Sequence, residues 1–234
     1  MLVPLPALAG IIAAIVVALI SGSWLWALIA FVIISVVVFA TAFFFADALT
    51  LRLLGGRPLR EGGSHMLRNQ LEELCARTGV TEPDLYTVGA GAPAIASFGR
   101  QSPSLVVTDG LSEDLTVVEL EAAVARELAR CRSGSMTVDT LAVTFITAPF
   151  AMLGDLGNKM LHFVRGGDHD AKTDLECVEI TRYPPGLSAA LRKMKLPANQ
   201  PASVAHLWAS GPEANEAPVG RFGLAERLEL LNEL

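Results

Sequence analysis

Residues 119–131 read Glu-Leu-Glu-Ala-Ala-Val-Ala-Arg-Glu-Leu-Ala-Arg-Cys, and this stretch decides how the rest of the chain is read. Apolar residues recurring at helical spacing predict a helix from about Ser112 to Cys131, with Val117, Leu120, Val124, Leu128 and Cys131 as its inward stripe. Glu119, Ala123, Arg126, Glu127 and Arg130 then fall towards another face. Arg126 and Arg130 stand at i and i+4, one above the other, with Glu127 between them. A guanidinium has no free lone pair at any accessible pH, so neither arginine can ligate a metal.

Outward from this helix, the N-terminal region sets the compartment. The chain has 234 residues, 52% of them hydrophobic, and the excess is concentrated at its start. Between Leu5 and Ala46 the polar residues are Ser21, Ser23, Ser35 and Thr41, and no charge occurs before Asp47. One crossing takes about 20 residues, so this run predicts a helical hairpin: a span from about Pro6 to Ile20, a turn at Ser21-Gly22-Ser23, and a span from about Trp24 to Phe45. Trp24 and Trp26 stand where interfacial aromatics collect. The uncharged Met1-Leu2-Val3-Pro4 and the second span argue against a cleaved secretory signal. Arg52, Arg57 and Arg60 follow the second span while the turn carries no Lys or Arg, which predicts a cytoplasmic N-terminus and a cytoplasmic soluble domain. Cys75, Cys131 and Cys177 are odd in number and widely spaced, as expected of buried thiols in a reducing compartment. A net charge of −6 without a basic patch disfavours nucleic acid as a partner.

The remaining segments predict an α+β fold, mainly α, with a small β-sheet. A Gly/Pro/Arg-rich linker, Gly55 to Gly63, precedes a helix from His65 to Thr78 whose inner face is Leu67, Leu71, Leu74 and Cys75. Leu85–Val88 and Ser104–Thr108 read as strands flanking a Gly/Ala/Pro loop. Val138 to Leu153 is apolar but interrupted by Asp139 and Pro149, and reads as a membrane-surface or core helix rather than a crossing. Further helices are expected over Asp168 to Thr181, Pro185 to Met194, and Ala225 to Leu234, the last with Leu228, Leu231 and Leu234 inward. The expected division is a transmembrane hairpin at 1–47, a linker at 48–64 and a soluble domain at 65–234.

The order of these segments resembles the HtpX-like family of membrane-bound gluzincin peptidases, relatives of the CAAX prenyl protease. Ala92-Pro93-Ala94-Ile95-Ala96-Ser97-Phe98-Gly99-Arg100, after Leu85-Tyr86, is similar to the family's edge strand P-N-A-F-A-T-G-R, and Val106 to Leu111 to its V-V-T-x-G-L. Glu119 to Arg130 resembles E-L-x-A-V-L-A-H-E-L-A-H. Asp170-Ala171-Lys172-Thr173-Asp174 resembles E-x-x-A-D, and Glu179-Ile180-Thr181 with Pro184 resembles E-L-T-x-x-P. In the tail, Ala205-His206-Leu207-Trp208 with Pro212 is similar to A-H-L-F...N-P, and Arg221 to Leu228 to H-P-x-x-E-E-R-I. The resemblance implies a gluzincin-like domain behind a membrane hairpin.

It also implies where the chemistry would sit, and there the chain departs. In H-E-x-x-H the two histidines bind zinc and the glutamate is the general base. Here the histidine positions are Arg126 and Arg130, the third ligand position is Asp170, the substrate-strand Asn is Ala94 and the tail histidine is Arg221; Glu127 alone keeps its type. The resemblance therefore implies a degenerate site at Arg126, Glu127, Arg130 and Asp170, with no catalytic residues, no metal and no cofactor. Two arginines facing Glu127 and Asp170 would balance charge as the metal does, which predicts that Arg126 or Arg130 pairs with Asp170. Ala94, Ile95, Ala96, Ser97 and Phe98 would remain a binding strand, because strand addition uses backbone groups, and an edge this apolar is expected to be covered by a partner or by the chain's own loop.

Blander readings stand beside these. Glu127 with Arg130 at i+3 reads as a helix-surface ion pair, Asp168-His169-Asp170 near His162 as a solvated helix start rather than a replacement metal site, Cys131 as a structural thiol rather than a nucleophile, and His206 as a packed histidine. The leading expectation is a catalytically inactive, multi-pass protein of the inner (plasma) membrane that acts as a scaffold, regulator or accessory subunit of a membrane protein complex. The alternatives are an active membrane metallopeptidase or thiol enzyme with a relocated site, and a structural subunit whose hairpin does the work.

Overall fold

Two apolar helices open the chain in the computed structural model, which describes residues 4–59, 65–89, 91–150, 156–165, 168–198, 200–210 and 223–234. Helix α1, Pro4–Ser21, and helix α2, Trp24–Leu54, fold back on each other through Gly22 and Ser23. Gly22 has φ 64°, a left-handed conformation that glycine adopts without a Cβ clash. Gly10 allows the close approach, since a methyl there would strike Ser35 Oγ and Phe31 of α2. Among the described residues, α2 is the one helix long and apolar enough to cross a membrane.

Helix α2 does not stop at Phe45, where the sequence places the end of the span. Nothing between Asp47 and Leu54 breaks a helix, and it ends at Gly55, φ 71°, whose N–H donates to Arg52 O at 3.2 Å. The first residues expected to be linker are therefore helix. Ala46, Thr50 and Leu54 are buried, and Leu54 clusters with Ala94, Ala96, Phe98 and Val106.

The sheet has four strands, β1 (Arg57–Pro58), β2 (Asp84–Val88), β3 (Ile95–Phe98) and β4 (Ser104–Thr108), in the order β1-β2-β4-β3. β2 and β4 run parallel with Leu85 opposite Leu105, and β3 is antiparallel to β4 with Ala96 opposite Val106. β4 is buried along its whole length, as its uninterrupted Leu-Val-Val run requires. The helices are α3 (His65–Thr78), α4 (Leu111–Asp114), α5 (Val117–Ser133), α6 (Ser135–Ala142), α7 (Leu156–Arg165), α8 (His169–Thr181), α9 (Pro184–Lys193) and α10 (Leu224–Asn232). The fold is α+β, mainly α.

Helix α5 is the centre of the soluble part, and the expected helix from Ser112 is in fact two. Leu115 is extended, and Thr116 caps α5 in a capping box: its N–H donates to Glu119 Oε2 at 2.8 Å and its Oγ1 accepts from Glu119 N at 3.4 Å. Val117, placed on the inward stripe by periodicity, is half exposed because it sits in the first turn, outside the packed length. Leu120, Val124 and Leu128 join Leu71, Leu74, Leu105, Leu187 and Leu191 in the main core. The opposite face of α5 is buried as well, against α8, α6 and β3.

The apolar stretch after α5 is not one helix. α6 gives way at Val143 to a π-helical turn, Val143–Thr147, whose five residues are buried. Leu153, the expected end of this stretch, lies outside the described residues. In α10, Leu231 points inward as expected, whereas Leu234 is exposed because the helix has ended at Asn232.

Candidate functional site

The polar face of α5 is sealed. Arg126, Glu127 and Arg130 are respectively 1%, 0% and 2% exposed, which corrects the reading of Glu127 as part of a surface ion pair. Such burial is tolerated when each charge is paired and hydrogen-bonded. Helix α8 brings Asp170 and Asp174 to this face, α6 brings Asp139, α7 brings Arg165 and α10 brings Arg227.

Arg126 reaches three carboxylates. Its Nε donates to Asp174 Oδ1 at 2.7 Å, its Nη1 to Glu127 Oε1 at 2.8 Å and its Nη2 to Asp170 Oδ1 at 3.3 Å. The expected partnership with Asp170 is therefore present, as the longest of the three bonds. Arg130 Nη1 donates to Glu127 Oε2 and to the Leu207 carbonyl, both at 2.8 Å, and its Nη2 to Asp139 Oδ2 at 2.7 Å. Arg165 Nε lies 2.8 Å from Asp139 Oδ1 and its Nη2 3.6 Å from Asp170 Oδ1. Arg227 takes the far side of Asp174, Nε to Oδ2 at 2.6 Å and Nη2 to Oδ1 at 2.9 Å. Four arginines thus face four carboxylates, and the formal charge of the cluster cancels.

The electrostatics follow from this arrangement. Burial would favour deprotonating Arg126, but Asp174, Glu127 and Asp170 outweigh it and raise its pKa. Arg130 is raised against the same burial by Glu127 and Asp139. Burial also disfavours a charged Asp139, yet Arg165, His169 and Arg130 hold its carboxyl well below the usual carboxylate range. Cys131 goes the other way: burial, and then the Glu127 charge, push its thiol up to about 12. A thiol held there is not the thiolate that nucleophilic chemistry uses.

The donor set does not fit a catalytic zinc. Such a site needs three protein ligands with free lone pairs and one open position. The i and i+4 positions of α5 are guanidinium groups, and the Asp170 carboxylate is engaged by Arg126 and Arg165. Both oxygens of Glu127 are also taken, Oε1 by Arg126 and Oε2 by Arg130 and by Ser97 Oγ at 2.5 Å. Asp168 is exposed and pairs with Lys172 at 2.7 Å and His169 is partly exposed, while Asp170 is buried, so the expected solvated helix start does not extend to Asp170.

The edge strand beside this cluster is occupied by the chain itself. Ala94, Ile95, Ala96, Ser97 and Phe98 are all buried. Ala209 N donates to Ile95 O at 2.9 Å, and Trp208 pairs with Ala96 in an antiparallel bridge. Two arginines of the cluster hold the same segment, Arg130 at the Leu207 carbonyl and Arg227 Nη1 at the Ala209 carbonyl, 3.2 Å away. His206 is buried just before it.

Comparison with known proteins bears on this geometry. A Protease HtpX homolog of Tropheryma whipplei is 25% identical over 207 residues, covering 73% of this chain and 71% of that protein. A Protease HtpX homolog of Sulfurovum sp. is 30% identical over 131 residues, 55% of this chain and 46% of that protein. Protease HtpX of Legionella pneumophila is 31% identical over 123 residues, 52% of this chain and 43% of that protein. These relatives support an HtpX-like family. No family model matches the chain, and no solved structure matches it.

The sequence pointed to Arg126, Glu127, Arg130 and Asp170, and the structure brings all four together. It did not assign roles to Asp174, Asp139, Arg165 or Arg227. Asp174 closes the Asp-Ala-Lys-Thr-Asp segment one helical turn after Asp170, and that i, i+4 spacing was a usable signal. Asp139 was visible as a charge inside an apolar run, where a carboxylate is costly unless paired. Arg165 carried no local signal. Arg221 and Pro212 lie outside the described residues.

Proposed function

We propose that the chain is a membrane-anchored, HtpX-like pseudopeptidase that works by binding rather than by hydrolysis. One observation carries this reading: Arg126 and Arg130 fill the zinc-ligand positions of α5, and between them they hold both oxygens of Glu127, the position of the general base. A carboxylate locked by two guanidinium groups is poorly placed to take a proton from water. Zinc, if a site fitted it, would supply a Lewis acid and an activated water, and these residues offer it no ligand set.

The anchor is the α1–α2 hairpin, in the inner (plasma) membrane. Arg52 and Arg57 follow the span and favour a cytoplasmic soluble domain. The role is that of a scaffold, regulator or accessory subunit of a membrane protein complex, with Ala94 to Phe98 as a strand-addition site now filled by the chain's own Leu207–Ala209. The relatives' names, Protease HtpX and its homologs, favour a second reading, an active peptidase, which in this chain would need a relocated site.

Metal content and casein hydrolysis of the purified full-length protein separate the two. The expected result is no stoichiometric zinc and no chelator-sensitive cleavage; chelator-sensitive cleavage by the unmodified protein would promote the second reading. Co-purification from native membranes then identifies the complex.

A further inference from the structure

The turn between β3 and β4 lies against α2 where its apolar run ends. β3 packs along α2 from the cluster that holds Leu54 to the rings of Phe43 and Phe44, the former eleven residues and about 16 Å earlier on the helix. Gly99 opens the turn at φ 135°, where a Cβ would strike the Ser102 carbonyl, and its N–H donates to Thr140 Oγ1 at 2.9 Å, which holds the turn to α6. Arg100 follows, with its guanidinium carbon 4.0 Å from the centroid of the Phe43 ring and 5.8 Å from that of Phe44. These rings precede Asp47, the first charge of the chain, by four and three residues, about 6 and 4.5 Å along the axis. Arg100 therefore stands at the height where the apolar run meets its first charge.

We infer that Arg100 is a phospholipid site, its guanidinium carried on the Phe43 ring and donating to the phosphodiester of a lipid headgroup. This rests on the anchoring proposed above. A guanidinium has five N–H donors suited to phosphate. Among the described residues none accepts from those of Arg100: Nε and Nη1 are buried without a hydrogen-bond partner, and Nη2 is left to meet a ligand. The four arginines of the buried cluster differ, since each pairs with a carboxylate. Asp47 accepts from the backbone N–H of Arg100, so it offsets the charge of the guanidinium without taking its donors. Stacking on Phe43 covers one face of the group and supplies no acceptor, a cost that a phosphate oxygen on Nη2 would relieve. Phe44 and Phe45, 70% and 68% exposed, set acyl chains beside it, and Gln101 and Ser102 are exposed next along the turn. Because Asp47 offsets the charge, recognition rests on the hydrogen bond, and zwitterionic and anionic phospholipids should serve alike.

The test uses the full-length protein in dodecyl maltoside, a detergent without phosphate, with lipid retention read by native mass spectrometry. Phosphatidylcholine and phosphatidylglycerol should both be retained in preference to a diacylglycerol of the same acyl chains. Arg100→Gln should weaken their binding about tenfold, whereas Arg52→Gln, at an exposed position of α2, should not. Equal retention of the diacylglycerol, or undiminished retention of phospholipid by a folded Arg100→Gln, would overturn the site; the diacylglycerol comparison needs no variant and so does not depend on how Arg100→Gln folds. Inorganic phosphate that binds the lipid-free protein through Arg100 and displaces the phospholipid would mean a site for the free ion and would overturn the lipid assignment. Flotation of the unmodified protein with liposomes reads the anchor separately. Flotation without Arg100-dependent retention would overturn the site and leave the anchor standing, and no flotation would overturn both.

Discussion

Arg126 Nε and Asp174 Oδ1 meet 2.7 Å apart between α5 and α8, and both side chains are almost wholly buried. Arg227 binds the same carboxylate from the other side. Asp174 thereby joins three helices through one side chain, one turn away from Asp170.

Replacing Asp174 by alanine takes from the buried Arg227 its carboxylate partner and from Arg126 one of three. Breaking a buried pair from one side costs about 3 to 5 kcal/mol, and here two partners are lost together. Asp174→Ala should therefore lower the unfolding midpoint of the detergent-solubilised protein markedly in denaturant titration. A loss below about 1 kcal/mol, typical of an exposed pair, would mean that the cluster is not structural.

Restoring both histidines, Arg126→His with Arg130→His, should create zinc affinity that the unmodified protein lacks. It places two imidazoles at i and i+4 beside Asp170, and frees Glu127 from both guanidinium groups. Isothermal titration with zinc reads the gain, and Asp170→Ala in the same background should abolish it. Unchanged affinity in a variant that keeps its helical circular dichroism would refute the mapping of these positions onto a metal site.

Acid should dismantle the cluster. Asp139 is held below its ordinary value in the folded state, so its contribution is complete above the unfolded carboxylate pKa of about 4 and is lost as pH falls through that range towards its own lower value. Stability measured between pH 6 and 2 should drop on the acid side of about 4, and Asp139→Asn should flatten that limb while lowering the plateau. An acid limb identical in the variant would assign the loss to other carboxylates.

The strand-edge contact makes a separate prediction. Ala209 N–H donates to Ile95 O, so its exchange with deuterium should be as slow as that of β4 amides. Fast exchange across 207–209 would show an edge open to other peptides and would favour a partner over the chain's own segment.

Most of the fold was legible because it rests on periodicity and punctuation. Leu67, Leu71 and Leu74 mark the inner face of α3, the Leu-Val-Val run marks a buried strand, and Gly22 and Gly55 mark the ends of helices. The burial of Glu127 was not legible, since an Arg-Glu-x-x-Arg pattern has the same spacing on a solvated helix and inside a paired cluster. The residues that complete the cluster around Arg130, Asp139 and Arg165, lie on other helices, and only their tertiary packing distinguishes the two cases. The membrane span is read as ending near Phe45 while α2 runs on to Leu54, because charge marks where a membrane ends whereas glycine marks where a helix ends, and here the two differ by eight residues, Asp47 against Gly55.

That offset has a consequence for how partners are met. On the anchoring proposed above, the rod that leaves the bilayer carries Leu54 directly into the packed cluster of Ala94, Ala96 and Phe98, with no slack chain between. A tethered domain sweeps a hemisphere and can find epitopes at many heights. This one rides at a single altitude above the lipid and searches by lateral diffusion, so a surface that docks on it must stand at that altitude too.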